Sequence, residues 1–261
     1  MHLELITASA TAAATTGTAA AAVGTDSLVV KNANKAKPVD IIAAWQTNQT
    51  AGFGQIAFPS GHDTTRGYRA GAAIGVNGAI LPMGVRMSVQ PQETLAVTIG
   101  GTAVAGDVEN MSFLLRYGDL PGIDARYITA NELERRTEKL TTVENSLAST
   151  AGPSYGTPEL ITADSDLLLA NRDYAVVGFT CRTAVHAIYL LGPDFGNVRI
   201  ACPGVLRQEI TSQWFPLLSR AHGEALVPVL NSGNKNATFI GVVTDENAGT
   251  FVVAAILALL K

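Results

Sequence analysis

Thr94-Leu-Ala-Val-Thr-Ile-Gly-Gly-Thr-Ala-Val104 sets two short runs of apolar and β-branched residues on either side of a glycine pair. Val, Ile and Thr suit a pleated, half-buried surface, and a tight turn with φ > 0 is where glycine costs least. The stretch therefore predicts a hairpin: strand 94–99, turn at Gly100-Gly101, strand 102–104. The same texture extends outward. Leu28-Val-Val30, Val39 to Trp45, Gly54 to Phe58 and Val85 to Val89 precede it, and Met111 to Tyr117 follows. Asn32-Ala-Asn34, Pro59-Ser-Gly61, Asn77-Gly78 and Pro91-Gln92 punctuate these runs. Short strands at this spacing, with no long helical periodicity between them, predict an all-β sandwich or barrel.

The texture changes at Asp124, where charged residues crowd together as far as Glu144. Thr129-Ala-Asn-Glu132 has the form of a capping box, and it predicts a helix from about Ala130 to Ser149. Leu133, Leu140, Val143 and Leu147 would be its narrow apolar stripe. The Gly/Pro-rich stretch Ala151 to Pro158 ends it and is the expected domain boundary.

Beyond it the first half begins again. Glu4-Leu-Ile-Thr-Ala8 recurs as Glu159-Leu-Ile-Thr-Ala163, and Phe53-Gly54 is echoed by Phe195-Gly196. Ile80-Leu-Pro-Met83 is echoed by Leu226-Val-Pro-Val229, Leu95 to Ile99 by Phe239 to Val243, and Met111 to Leu115 by Phe251 to Leu260. The offset falls from 155 at the first echo to between 142 and 146 later, which implies deletions in loops of the second half. The expected fold is all-β: two tandem similar β-sandwiches of jelly-roll type joined by a charged helix. Residues 1–26 form a small-residue N-terminal arm, 27–123 the first sandwich, 124–158 the linker helix and connection, and 159–261 the second sandwich. The Ala/Thr/Gly-rich stretch Thr7 to Thr25 is expected to order against other copies, as an arm or an edge strand.

Composition narrows the function. Charged residues make up 15% of the 261 residues and hydrophobic ones 47%, against a usual charged share of about 25%. A surface this poor in charge is expected to be covered in part by other subunits. The net charge of -4 argues against direct capture of nucleic acid, which needs clustered Lys and Arg. The beginning of the sequence lacks a basic start and a continuous apolar stretch, so secretion is not indicated. Phe251 to Leu260 is about half the ~20 residues of a bilayer helix, and no transmembrane segment is expected. Cys181 and Cys202 read as buried free thiols in strands, with a single bridge as the alternative.

No catalytic, cofactor-binding or metal-ligating residues are expected, and no cofactor. The four histidines, His2, His62, His186 and His222, lie in no metal-binding spacing. Ser60, His62, Asp63 and Arg66 form the most enzyme-like cluster, but neighbours in one loop seldom reach triad geometry; a polar turn or subunit contact is the plainer reading. Phosphate-loop, dinucleotide-fingerprint and nucleophile-elbow motifs are missing from the sequence. Trp45, Trp214 and Phe215 read as core aromatics in β-runs, or as a sugar platform if exposed.

A charge-poor chain with two tandem β-domains, a linking helix and a small-residue arm resembles the double jelly-roll major capsid proteins of icosahedral viruses. The resemblance is architectural. It implies a homotrimer whose six jelly rolls make a pseudo-hexagonal tile, with contacts to neighbouring capsomers and other virion proteins, and a location in the virion assembled in the host cytoplasm. A decoration, spike or tail protein is the first alternative, and a carbohydrate-binding β-sandwich the second.

Overall fold

A computed structural model describes the chain apart from residues 12, 32–38, 48–51, 62, 73–77, 102–103, 106, 119–124, 150–151, 183–184, 205–207 and 245–248, and apart from the side chains of 63–66 and 72. Strands account for 55% of it and helices for 13%, so the class is all-β.

The first half carries β1 (His2–Thr11), β2 (Thr18–Ala19), β3 (Val39–Thr47), β4 (Gly52–Phe58), β5 (Asp63–Ala72), β6 (Met87–Val89), β7 (Ala96–Gly100) and β8 (Val108–Tyr117). One antiparallel sheet runs β1-β8-β3-β6, with short strands Ala21–Ala22 beside β1 and Gly78–Ala79 beside β3; the other runs β2-β7-β4-β5. Ile6 and Ala8 of β1, Phe113 and Leu115 of β8, and Ile41 of β3 meet Ile56, Val97 and Ile99 of the second sheet in one buried cluster. That alternation is what period-two strands produce when one face is turned to a core.

Two expectations are corrected here. The stretch from Thr7 to Thr25 is not an arm ordered by other copies: Thr7 to Thr11 belong to β1, which pairs with β8 from His2↔Tyr117 to Thr11↔Val108 within a single chain, and the edge-strand alternative holds inside the chain, with Thr18–Ala19 on β7 and Ala21–Ala22 on β1. Thr7 and Ala8 are fully buried, so the small side chains of β1 reflect a strand packed on both sides. Gly100-Gly101 is not a hairpin turn, because β7 and β8 lie in different sheets and β8 starts at Val108. Residues 102–103 of that expected hairpin lie outside the described residues. Gly100 has a packing reason instead: a Cβ there would come within 2.1 Å of the Phe53 ring.

The second half carries α1 (Ala130–Arg136), β9 (Thr137–Ser149), β10 (Ser154–Tyr155), β11 (Asp173–Cys181), β12 (Ala187–Leu191), β13 (Arg199–Pro203), α2 (Gln208–Thr211), α3 (Trp214–His222), β14 (Val227–Asn231), β15 (Phe239–Thr244) and β16 (Gly249–Leu260). The capping box at Thr129 and Glu132 is present, but α1 ends at Arg136. Residues 137–149, expected to be helical, are strand β9, with Val143, Asn145 and Leu147 buried at every second position. β-Branched Thr137, Thr141, Thr142 and Val143 favour that outcome. The linker helix is thus one short helix leading into the first strand of the second half, which begins about twenty residues earlier than expected.

One sheet of this half runs β9-β16-β11-β14 and the other β10-β15-β12-β13, with Tyr127–Ile128 beside β14 and Glu159–Leu160 beside β15. The order is that of the first half with every label raised by eight. The first residues of β1 to β5 and β9 to β13 are separated by 134 to 136 positions, and those of the last three pairs by 140 to 143. The second half therefore gains residues before β14, where α2 and α3 lie, rather than losing them. A register shift falls at the same place in both: between Leu114 and Leu115 of β8 against Ile41 and Ala43 of β3, and between Val176 and Gly178 of β11 against β16. Phe53 stands opposite Gly100, and Tyr189 opposite Gly241, where a Cβ would likewise strike the tyrosine ring.

The sequence echoes divide accordingly. Leu95–Ile99 with Phe239–Val243, and Met111–Leu115 with Phe251–Leu260, fall on matching strands. Glu4 lies in β1 whereas Glu159 lies in a short strand beside β15, so the five-letter match joins positions that do not correspond. Phe195-Gly196 lies in a turn after β12, away from the counterpart of Phe53.

Candidate functional site at the junction of the halves

The sheet β1-β8-β3 is buried on both faces. Leu3 and Leu5, Leu114, Ala43 and Trp45 point away from their own core and join the apolar cluster of the second half. This explains why Val39 to Trp45 and Met111 to Tyr117 read as near-continuous apolar runs: strands covered on both sides have no solvent face to encode. Trp45 meets Trp214 of α3 edge-on at 6.1 Å and donates its indole N–H to the His186 carbonyl at 3.1 Å. Trp214 donates to the Ala201 carbonyl at 3.2 Å. Both tryptophans and Phe215 are buried, as the core reading required; Trp214 and Phe215 sit on a helix rather than a strand, and none of the three offers a sugar platform.

A polar network crosses the apolar contact. The His186 ring bonds Thr47 Oγ1 through Nδ1 and Ser112 Oγ through Nε2, each at 2.7 Å, and Ser112 bonds Thr7 Oγ1 at 2.7 Å. Burial lowers the His186 pKa to about 3, so the imidazole is neutral and fits two hydroxyl partners, one ring nitrogen donating and the other accepting.

Two ion-pair groups flank it. Asp40 in β3 takes Arg116 Nη1 at 3.0 Å and the Ser88 hydroxyl at 2.6 Å. Arg116 Nε lies 2.6 Å from Glu224 of the second half, and Arg86 Nη1 reaches the same carboxylate at 2.9 Å. On the other side, one Asp26 oxygen accepts Arg199 Nη1 at 2.8 Å, and the other accepts the Thr7 N–H at 2.8 Å and the Tyr155 hydroxyl. The Arg199 guanidinium lies 3.7 Å from the centre of the Tyr155 ring, a cation–π contact. Burial raises the Asp26 pKa against the opposing pull of Tyr155, Thr7 and Arg199. Burial, and then the Asp26 charge, push the Tyr155 hydroxyl well above its ordinary value. A cavity of about 300 Å³ opens here, lined by Glu4, Asp26, Lys31 and Arg199 among others.

None of these charged residues was singled out in the sequence. The available signal was a charge inside an apolar β-run, Asp40 within Val39 to Trp45 and Arg116 within Met111 to Tyr117, because a buried charge requires a partner. In the Ser60 cluster the Ser60 N–H and hydroxyl both bind Glu93, at 2.7 and 2.6 Å; His62 and the side chains of Asp63 and Arg66 lie outside the described residues. Cys181 and Cys202 are buried and no disulfide joins them. Among the described residues no three His, Cys, Asp or Glu side chains gather as a metal would require, and no helix is long and apolar enough to cross a membrane. What the junction can do is hold two similar halves in one fixed relation, through apolar area, a neutral histidine and paired charges.

No protein-family model matches the chain, and no curated protein matches it.

Proposed function

We propose that this chain is a structural virion protein, the self-assembling major capsid subunit of an icosahedral virus or phage, made of two tandem jelly rolls and performing no reaction. One observation carries the reading: two sets of eight strands in the same order, β1-β8-β3-β6 with β2-β7-β4-β5 and β9-β16-β11-β14 with β10-β15-β12-β13, with register shifts at corresponding places. Eight strands in two packed sheets is the jelly-roll arrangement, which recurs in capsid proteins, lectins and cupins; the site must therefore separate these uses. The chain's best-built polar groups are spent on fixing one half against the other, and its tryptophans are buried. Three copies then present six similar lobes, which suits closed threefold symmetry and a hexagonal tile.

Electron microscopy of the purified chain tests this. Rings, sheets or shells formed by the protein alone are expected of a coat subunit. Dispersed particles that bind only to a preformed lattice would point instead to a decoration protein and overturn the coat assignment.

A further inference from the structure

The contact between β1 and β13 that joins the halves leaves the corresponding strand of each half, β9 and β5, at the edge of its sheet. In the first half the outer edge of β1 is covered at Ala8 and Ser9 by Ala21–Ala22, and nearer its start it is closed off against the second half. Its Leu3 N–H is taken by the Tyr127 hydroxyl at 2.9 Å, and its Thr7 N–H by Asp26, which also holds Arg199 of β13.

Strand β9 is the counterpart of β1, and it carries half of the same device. Asp164, in the connection between β10 and β11 as Asp26 is in that between β2 and β3, accepts the Ser146 N–H at 2.7 Å. Ser146 stands two residues along β9 from the counterpart of Thr7, by pairing with β16 and β8. Asp164 is exposed, and among the described residues no cation meets it. Nearby in sequence or on β9, Leu140, Leu167 and Leu169 are each more than half exposed.

The other half of the device is on β5. Arg69 pairs in register with Gln55, two residues after Phe53, as Arg199 pairs with Leu191, two residues after Tyr189. Its guanidinium lies over an aromatic ring, 3.2 Å from the Phe53 centroid, and it too is exposed with no carboxylate partner among the described residues. An acidic cap on one bare edge and a ring-stacked arginine on the other are the two sides of a contact already formed once inside the chain.

We propose that β9 of one copy docks against β5 of the next, with Asp164 facing the neighbour's Arg69, so that the contact between β1 and β13 is repeated between chains. The partner is a second copy of this chain. The inference rests on the assembly reading above and supplies its surface. The contact is heterologous, joining two different patches, so it propagates until rotation closes it; two lobes per chain close at six lobes with three copies.

The test uses the full-length chain, with mass photometry and sedimentation read across concentration. Arg69→Glu and Asp164→Arg are each expected to weaken association at least tenfold, and the double variant to recover most of it, because the swapped charges attract again. Asp164→Asn, whose amide oxygen can still accept from Ser146, separates loss of charge from loss of the cap and is expected to weaken association as well. Wild-type assembly that is indifferent to all of these changes, or a double variant no better than the singles, overturns the contact while leaving the assembly reading in place. A wild-type chain that stays monomeric at tens of micromolar overturns both.

Discussion

His186 is neutral because burial strips solvent from its charged form, and that makes stability depend on pH. Its pKa is lowered to about 3 in the folded chain from an ordinary 6.5, so between those values the unfolded state binds the proton more readily. Stability is complete above about pH 6.5 and falls as pH drops through the window, at about 1.4 kcal/mol per pH unit. From pH 7 to pH 5 the His186 contribution is a loss of about 2 kcal/mol. Asp26, with its pKa raised, acts in the opposite sense, so the quantity to measure is the difference between wild type and His186→Gln in denaturant unfolding at both pH values. An equal pH dependence in the two would contradict this. Asp40 offers a second test at this scale. Its carboxylate is nearly inaccessible and holds Arg116 and Ser88, and Asp40→Ala leaves the arginine without it at a cost of about 3–5 kcal/mol, measurable by the same unfolding. The sequence located the aromatic core and the buried thiols residue by residue. It did not locate these charges, because a partner such as Glu224, far along the chain from Arg116, leaves no local spacing to read.

At the scale of elements, the chain announces its helix start more clearly than its helix end. Thr129 and Glu132 cap each other as their spacing required, and Thr129→Ala is expected to cost about 1 kcal/mol, read as a lowered unfolding midpoint with an unchanged denaturant slope. The helix end was misread because Leu133, Leu140 and Leu147 have a seven-residue spacing that suits a stripe, while Val143, Asn145 and Leu147 have a two-residue spacing that suits a strand. Leu140 decides between them: it is 61% exposed, so the stripe does not exist. The strands from Val39 to Tyr117 were legible where they were apolar. Strand β1 was not, because Ala and Thr fill a strand closed on both faces just as they fill a flexible arm. Gly100-Gly101 was misread for a related reason, since glycine serves a turn and a close approach to a ring equally well.

At the scale of the whole molecule, repetition in the sequence was legible and its register was not. The five-letter match pointed to an offset of 155, while the strand pairs keep one near 135 before the α2–α3 insertion. Strand order is conserved by hydrogen-bonded topology, which constrains side-chain pattern and not letters. Because one apolar cluster runs through the second half and the outer face of β1-β8-β3, the halves are expected to unfold together in a single transition; two separated transitions in calorimetry would show them to be independent. The low charge fraction of 15% points the same way between chains as the junction does within one. Sedimentation velocity of the purified full-length chain at micromolar concentration reads that most directly: the account predicts a species of three times the 27.2 kDa chain mass, or larger assemblies built from it, and a single stable monomer across the concentration range would contradict it.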